Sequence, residues 1–222
     1  MELPLTPDEL LTTTRTVRRR LDLDRAVDRS LVEECVEVAL QAPNGGNRQR
    51  WTWLLVDDPA RKQALADLYR AAFSDYGERM RQAAQERPAR PAEPPPEPRF
   101  EQQPRMVESI MFLAEHFHEV PVLVVPVQRG RPPDDLFAQA TYWASIVPAV
   151  WSCMLALRAR GLGSAWTTAT LMREQAVADV LGFPADRCTH AGLFPVAYTL
   201  GTDFRPARRL PVADVVRWNG WA

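Results

Sequence analysis

The most informative segment of the chain is Ala42-Pro43-Asn44-Gly45-Gly46-Asn47-Arg48-Gln49-Arg50-Trp51. A helical pattern stops at the proline, a small polar loop with two glycines follows, and a β-type run begins at the tryptophan. Such a loop presents bare backbone N–H groups and amide side chains, which suit a bound anion or the polar tail of a ligand. The segment therefore predicts a helix–loop–strand junction with the chemistry of a binding loop.

The composition limits the class of protein. The 222 residues are 46% hydrophobic and carry a formal net charge of −1. A chain of this length fits one domain with a substantial core. A net charge this close to zero excludes a strong overall positive potential of the kind that attracts nucleic acid or an anionic membrane. The cysteines, Cys35, Cys153 and Cys188, are widely spaced and form no metal-ligand pattern, so we expect reduced thiols in a cytoplasmic protein.

Helical and β-type runs share the chain. Helices are predicted over residues 7–14, with Thr6 as N-cap, and over 31–40, with Ser30 as N-cap and Glu33 completing a capping box. Further helices are predicted over residues 60–73, 134–160 and 172–181, and strands over 51–57, 120–127, 164–168 and 190–200. The strand at 120–127 is apolar on both faces and should be internal.

The longest apolar run covers residues 146–157. It is shorter than the roughly 20 residues that a membrane span needs, so we expect a buried helix there. Pro148 should kink or divide the helix predicted over 134–160, and Gly161-Leu162-Gly163 should cap its end.

Residues 85–104 differ in composition from the rest of the chain because they are rich in proline. Prolines recur there, and the sequence favours an extended surface segment over a helix or a central strand; they are Pro88, Pro91, Pro94, Pro95, Pro96, Pro98 and Pro104. Two interpretations stay open, an extended polyproline insert and a lid over a pocket.

Three further segments have side chains or turns that suit a bound ligand. Arg15, Thr16 and Arg18 offer guanidinium forks and a hydroxyl to a phosphate, although a solvated basic face would have the same composition. The turn Gly161-Leu162-Gly163-Ser164, followed by Trp166-Thr167-Thr168, would let a flat ligand approach the backbone, and it also suits an ordinary helix–turn–strand connection. Arg208 and Arg209 supply more cations near the C-terminus.

Taken in order, these segments resemble the FMN-dependent nitroreductase family over residues 11–218 or so. The motifs are Arg15-Thr16-Val17-Arg18, Ala42-Pro43-Asn44-Gly45-Gly46-Asn47, Gly161-Leu162-Gly163-Ser164 with Thr167-Thr168, Leu193-Phe194-Pro195-Val196-Ala197-Tyr198, and Arg208-Arg209-Leu210-Pro211 with Val215-Val216. The resemblance implies one FMN-binding domain over residues 1–222 with an α+β, nitroreductase-like fold. It implies a central antiparallel sheet flanked by helices in an intertwined homodimer, with two FMN sites at the interface and the helix at 146–157 buried in it.

The same resemblance implies which residues contact FMN. Arg15, Thr16 and Arg18 would hold the phosphate with Arg209, and Arg208 is a further candidate. Asn44, Gly45 and Asn47 would approach the flavin from the partner subunit. Trp166, Thr167 and Thr168 would lie along the isoalloxazine, where a backbone N–H could reach N5 or O4.

This chain departs from the family pattern at three places. Thr14 stands at the family's first arginine, so the phosphate clamp needs Arg19 or Arg208 to replace that cation. Asn44 replaces the common serine or threonine of the loop, and Trp166 is bulky enough to narrow the pocket.

The implied activity is an NAD(P)H-dependent FMN oxidoreductase. NAD(P)H would deliver hydride to flavin N5, and an electron-poor nitroaromatic, quinone or activated alkene would take the electrons in a ping-pong cycle. Alternatives are a specialised family member that performs reductive dehalogenation or flavin fragmentation, a non-catalytic protein that sequesters FMN, and a dimeric α+β protein without a cofactor. His116 and His118, two residues apart, should diverge on a helix as a surface pair, and no metal is expected.

Overall fold

A computed structural model describes residues 2–86 and 98–221 of the chain. The helices are α1 (Pro7–Thr13), α2 (Arg29–Ala39), α3 (Pro59–Glu86), α4 (Pro98–His116), α5 (Leu136–Ala144), α6 (Val147–Ala159), α7 (Glu174–Leu181) and α8 (Val212–Val215). The strands are β1 (Trp51–Val56), β2 (Val122–Arg129), β3 (Leu162–Ser164), β4 (Cys188–His190) and β5 (Phe194–Tyr198). Short 3₁₀ turns occupy Gly45–Asn47, Phe117–Glu119 and Ala169–Arg173.

All five strands form one antiparallel sheet. The order is β1-β2-β5-β3, and β4 also pairs with β2. Trp51 lies opposite Gln128 in the β1–β2 ladder, and Val122 lies opposite Val196 in the β2–β5 ladder. Every residue of β2 except the last is buried, which confirms the prediction of an internal strand near 120–127.

Alternate residues of β2 serve two cores. Leu123, Val125 and Val127 pack with apolar side chains of α3, α4 and α7. Val122 and Val124 point the other way and pack with α2 and α6. Because side chains alternate along a strand, the sheet separates two helical layers. The α+β class with an antiparallel sheet flanked by helices is therefore confirmed.

The first two helices start differently. Thr6 caps α1 as predicted. Its side chain accepts a hydrogen bond from Glu9 N, and the Glu9 carboxylate accepts a hydrogen bond from Thr6 N at 2.8 Å. The prediction that Ser30 caps the next helix is wrong. Helix α2 begins at Arg29 with Asp28 as N-cap, and the Arg29 guanidinium donates to Asp57 at 2.6 and 2.8 Å. This ion pair joins the first residue of α2 to the residue that follows β1.

The apolar run before β3 is two helices, as the proline predicted. Ser145 and Ile146 separate α5 from α6, and Pro148 lies in the first turn of α6, where a missing N–H costs little. Leu136–Ala159 has a mean hydropathy of 1.4 over its most apolar window and is long enough, by length and composition alone, to cross a membrane. Most of α6 is nevertheless buried against α2 and β3, as expected for residues 146–157.

The prediction that prolines keep residues 85–104 out of helices is wrong at both ends of that segment. Residues 85 and 86 belong to α3, which runs well beyond the predicted end at residue 73. Pro98 opens α4, a position where its fixed φ is suitable, and Pro104 lies inside that helix at an exposed position where water can replace the missing bond. The prolines at 88, 91, 94, 95 and 96 lie outside the described residues.

Two predicted strands were too long. The run at 190–200 divides into β4 and β5, because Gly192 between them has a φ of 130°. The strand predicted at 164–168 ends at Ser164, and beyond it only an isolated bridge joins Thr167 to Leu193. The helix predicted at 172–181 begins at Glu174, after a 3₁₀ turn.

His190, the last residue of β4, is a fully buried polar residue. Its Nε2 lies 3.1 Å from Thr170 Oγ1, and its Nδ1 has no partner among residues 2–86 and 98–221. Burial lowers the pKa of His190 to about 4, against a weaker opposing effect of Glu174. The folded state therefore requires neutral imidazole. Above the ordinary histidine pKa of about 6.5, His190 is neutral in both the folded and the unfolded chain and does not lower the free energy of unfolding. As the pH falls from there towards 4, the unfolded chain binds a proton that the folded chain does not, so the free energy of unfolding decreases.

Candidate functional site

A cavity of about 380 Å³ lies between α3, α4 and the loop that follows β3. We call it the ring cavity. Helix α3 contributes Tyr69, Phe73 and Tyr76, and α4 contributes Ile110 and Leu113. The facing wall is formed by Ala165, Trp166, Thr167, Thr168, Ala169 and Met172. Its size suits a small organic molecule, and its aromatic and aliphatic walls suit a flat one.

Arg18 is the one charged side chain among the described residues that line the ring cavity. Burial lowers its pKa, and Tyr69 has a weaker opposite effect. Its Nη1 donates to Ser109 Oγ at 3.4 Å, and no carboxylate in the described part of the chain forms an ion pair with it. A partly buried guanidinium without a counter-charge favours a ligand that brings a hydrogen-bond acceptor or negative charge.

The Thr167–Thr168 wall has one free backbone donor. Thr167 N donates to Leu193 O at 3.1 Å, and Leu193 N donates to Thr167 O at 2.9 Å, so this N–H is occupied. Within the described ranges the Thr168 N–H has no hydrogen-bond acceptor. The sequence predicts one backbone N–H of this segment for a flat ring, and the N–H of Thr168 is the available one.

Tyr69 faces this wall. Burial raises the pKa of the Tyr69 phenol, while Arg18 and the Thr167 hydroxyl act in the opposite direction. The phenol therefore stays protonated at neutral pH and can donate a hydrogen bond into the cavity.

Trp166 is locked in place by its neighbours. The indole Nε1 donates to Ala191 O at 2.8 Å, and the ring stacks on Phe194 with centroids 5.8 Å apart. A Cβ on Gly192 would lie 2.7 Å from Trp166 Cδ1 and 2.9 Å from Thr167 O. Glycine is therefore required at this position for the wall to keep its shape.

A cluster of cations lies where the N-terminal segment meets β3. Thr16 forms a parallel bridge with Ser164, and Val17 N donates to Ser164 O at 2.9 Å. Burial lowers the pKa of Arg15, and the positive charge of Arg209 lowers it further, so these two guanidiniums lie near each other. Two adjacent cations favour an anion between them.

The joint contact of Arg15, Thr16, Arg18 and Arg209 with one phosphate stays a prediction. The structure brings Arg15 close to Arg209, with the Thr16 side chain exposed, whereas Arg18 lines the ring cavity. Arg208 precedes Arg209 and accepts a hydrogen bond from it through its backbone carbonyl at 3.2 Å. Arg19, the other possible replacement for the cation lost at Thr14, is paired with Glu108 at 3.5 Å.

The loop at residues 44–47 lies elsewhere in the same chain. Asn44 Oδ1 accepts from Gln49 N at 3.0 Å, and Gly45 N donates to Ser145 Oγ at 3.1 Å. Gly46 and Asn47 have positive φ angles of 61° and 49°. Asn44 and Gly45 line a second cavity beside α5 and do not line the ring cavity. The prediction that this loop reaches a flavin held by another subunit stays a prediction.

The histidine pair differs from its prediction. Helix α4 ends at His116 and a 3₁₀ turn begins at Phe117, so the two rings do not diverge as on a continuous helix. His116 Nδ1 and His118 Nε2 lie 3.0 and 3.7 Å from the same Glu119 oxygen. In the described part of the chain no group of three His, Cys, Asp or Glu side chains could hold a metal ion.

The sequence interpretation missed the α3 wall of the ring cavity. Tyr69, Phe73 and Tyr76 recur at helical spacing, and Tyr69 is deeply buried. That periodicity was visible in the sequence and could have identified an aromatic face. The role of Gly192 gave no such signal, because it depends on the position of Trp166.

The chain matches a family model described as Nitroreductase family over residues 11–198. No curated protein matches its sequence. Its fold is similar to that of the FMN- and NADPH-dependent nitroreductase NfnB from Sphigopyxis sp. strain HMH, with 23% identity, a TM-score of 0.69, and 98% of this chain and 100% of that chain covered.

Two other solved structures share the fold. Iodotyrosine deiodinase bound to FMN and 3-iodo-L-tyrosine has 21% identity and a TM-score of 0.70, with 96% of this chain and 99% of that chain covered. A BluB-like flavoprotein from Clostridium difficile 630 has 15% identity and the same TM-score and coverages. At such identities the likeness concerns the fold alone. Together with the match over residues 11–198, it leads to one conclusion: the chain belongs to the nitroreductase family.

Proposed function

We propose that the protein is an FMN-dependent oxidoreductase that passes electrons from NAD(P)H to an electron-poor small molecule. The observation that carries this proposal is the arrangement around β3. Arg18 lies in the ring cavity beside Thr167 and Thr168, while Arg15 and Arg209 lie close together near the same strand. One ligand with a flat polar ring and an anionic tail would use both features.

The residues present fit FMN. Arg15 and Arg209, with the exposed Thr16 hydroxyl and Arg208 as a further cation, would hold its phosphate through charge-assisted hydrogen bonds. The ring cavity, about 380 Å³ with an aromatic wall, would take the ring system, with Trp166 at its side. When bound, FMN supplies the hydride and electron chemistry that no side chain of this chain supplies.

Arg18 would then hold negative charge inside the cavity. Its guanidinium has no carboxylate partner in the described ranges, and its pKa, although lowered by burial, keeps it positive at neutral pH. The Thr168 N–H would donate to a ring heteroatom from the opposite wall. Tyr69, Phe73 and Leu113 would exclude water and leave space above the ring for a nicotinamide or an aromatic acceptor.

We further propose a homodimer that completes the site. Asn44, Gly45 and Asn47 would come from the second copy, because in one chain Asn44 and Gly45 line a different cavity. Large apolar side chains are exposed on α5 and along the C-terminal segment; they include Leu136, Phe137, Val212, Val215, Trp218 and Trp221. Burial of this surface against a second copy would stabilise both chains.

We also propose that residues 1–222 act as one domain in the cytoplasm and that the segment at 85–104 influences substrate range. Helix α3 ends and helix α4 begins within that segment, and side chains of both helices line the ring cavity. All three cysteines are free thiols, in keeping with a reducing compartment. Deletion of residues 86–99 should change the range of acceptors more than the flavin content.

The proposal is tested by anaerobic titration of the purified protein with NADH and with NADPH. We expect a yellow protein whose flavin absorbance is bleached by at least one nicotinamide and restored by a nitroaromatic, quinone or enone. A yellow protein bleached only by dithionite would indicate a sequestering protein and contradict the NAD(P)H donor. A colourless protein that does not take up added FMN would contradict the proposal entirely.

A further inference from the structure

Arg158 is a buried arginine in the last turn of α6, with 4% of its surface exposed. Its Nη2 donates to Thr13 Oγ1 at 3.3 Å and to Thr202 O at 2.9 Å. Its Nε and Nη1 have no hydrogen-bond partner in the described part of the chain, so no carboxylate there pairs with it. Burial lowers the pKa of Arg158, and the positive charge of Arg20 lowers it further. An unpaired buried charge is costly and is typical of a functional region.

The two hydrogen-bond partners of Arg158 belong to the two segments that supply cations to the proposed phosphate site. Thr13 is the last residue of α1 and comes two residues before Arg15. Thr202 lies on the C-terminal segment, seven residues before Arg209. One buried side chain therefore joins two segments that are far apart in the sequence, and the cation that follows on each of them lies near the other.

Phe204 makes a second link between the same elements. Two guanidiniums contact its ring, with Arg20 Cζ 4.3 Å and Arg158 Cζ 4.9 Å from the ring centroid. Such cation–π contacts are strongest where water is excluded, as it is around Arg158. Arg20 also holds the backbone of this segment, because its Nε donates to Leu200 O at 2.8 Å and its Nη2 donates to Asp203 Oδ1 at 2.5 Å. The start of the C-terminal segment is thus fixed by two arginines.

The stretch that leads from these contacts to Arg209 has little regular structure of its own. Residues 205–210 belong to neither a helix nor a strand, and Pro206 restricts the backbone between them. Arg209 is exposed, and its Nη1 donates to the carbonyl of the adjacent Arg208 at 3.2 Å, a local bond that does not set its distance from another segment. The place of Arg209 therefore depends on the anchored residues that precede it.

From these contacts we infer that Arg158 is a positioning residue for the phosphate site, one that holds the end of α1 against the C-terminal segment so that Arg15 and Arg209 converge on one phosphate. Phe204 supports this link through its ring. Arg158 is buried and acts through the segments that it joins, without contact to the ligand. The inference rests on the proposed function, because FMN is the ligand that brings the phosphate.

The test compares the binding of FMN and of riboflavin, which lacks the phosphate, by fluorescence titration of the flavin-free protein. Arg158→Met keeps a long apolar side chain and removes the charge and both hydrogen bonds. We expect the Kd of FMN to rise about tenfold, as for loss of one charge-assisted bond, and the Kd of riboflavin to stay unchanged. Phe204→Leu should have the same effect to a smaller extent, and Phe204→Tyr should bind FMN as the parent does. Urea unfolding shows that each variant is folded.

Arg160→Met is the matched control. Arg160 also lies at the end of α6, but it donates to Ala156 O at 3.3 Å and pairs with Glu34 at 3.6 Å, away from both phosphate segments. We expect parental affinity for both flavins in this variant. A double-mutant cycle tests the route of the effect, since Arg158→Met should add little to Arg209→Ala if it acts through Arg209. Additive losses in the double variant, or equal losses of FMN and riboflavin in Arg158→Met, would overturn the inference.

The outcomes separate this inference from the proposed function. If Arg158→Met binds FMN as the parent does, the inference fails while the proposed function stands. If Arg158→Met loses affinity for FMN alone, and the flavin of the parent is bleached by dithionite but by neither nicotinamide, the inference stands and the proposed oxidoreductase activity fails. A parent that binds no FMN would overturn both.

Discussion

Substitution of Gly192 by alanine should damage the fold and the proposed flavin site together. Gly192 has a φ of 130°, a backbone conformation that alanine rarely adopts. The added Cβ would lie 2.7 Å from Trp166 Cδ1 and 2.9 Å from Thr167 O. Both atoms belong to the wall of the ring cavity, and the Thr167 carbonyl accepts from Leu193 N. The substitution must therefore displace the wall or break this pairing.

The cost can be compared with that at a second glycine. Gly182, at the end of α7, also has a positive φ, 76°, but nothing lies within 4 Å of a Cβ placed there. Gly182→Ala should therefore cost only backbone strain, about 1–2 kcal/mol. Gly192→Ala adds a clash, which typically costs about 1–3 kcal/mol in packed regions. We expect a total of about 2–5 kcal/mol for Gly192→Ala.

Urea unfolding of both variants measures the free energy of unfolding, and absorbance gives the flavin bound per chain. We expect Gly192→Ala to be the less stable variant and to retain less FMN, while Gly182→Ala keeps the parental flavin content. Equal destabilisation of the two variants, with the flavin content of Gly192→Ala unchanged, would refute the argument that this glycine positions the cavity wall.

Arg209→Ala should weaken FMN binding by about 1.5–3 kcal/mol, measured by fluorescence titration, because one charge-assisted bond to the phosphate is lost; an unchanged Kd would contradict the clamp. The free energy of unfolding should fall by roughly 2 kcal/mol from pH 7 to pH 5 through His190, an effect absent in His190→Gln, and titration of His190 near pH 6.5 by NMR would contradict this. Burial raises the pKa of Cys35 to about 11 and of Cys153 to about 12, so a thiol reagent should modify Cys188 first in the native protein; equal rates at all three thiols would show that burial does not protect them.

Features set by neighbouring residues were predictable from the sequence. The Thr6–Glu9 capping box spans three residues, and Pro148 divides the apolar helical run through its own ring and missing N–H. The ordered motifs likewise predicted the fold class, because the family resemblance depends on the order of local segments.

Features set by distant residues were not predictable in this way. Helix α2 begins at Arg29, which pairs with Asp57 far along the chain, and the predicted cap at Ser30 is wrong. The sequence shows that Arg18 carries a charge, but not that it donates to Ser109 and lines a cavity with the aromatic side chains of α3. These contacts follow from packing between elements far apart in the chain.

The C-terminal segment after Leu200 exposes large apolar side chains, with Trp218 85% and Trp221 97% exposed, and such a surface suits contact with another chain. On the proposed dimer, the thermal midpoint should rise with protein concentration, since subunit association and folding become one equilibrium. Dilution would then release the cofactor and loosen the chain in the same concentration range. An activity assay at nanomolar enzyme would thus measure the population of assembled pairs as well as their turnover.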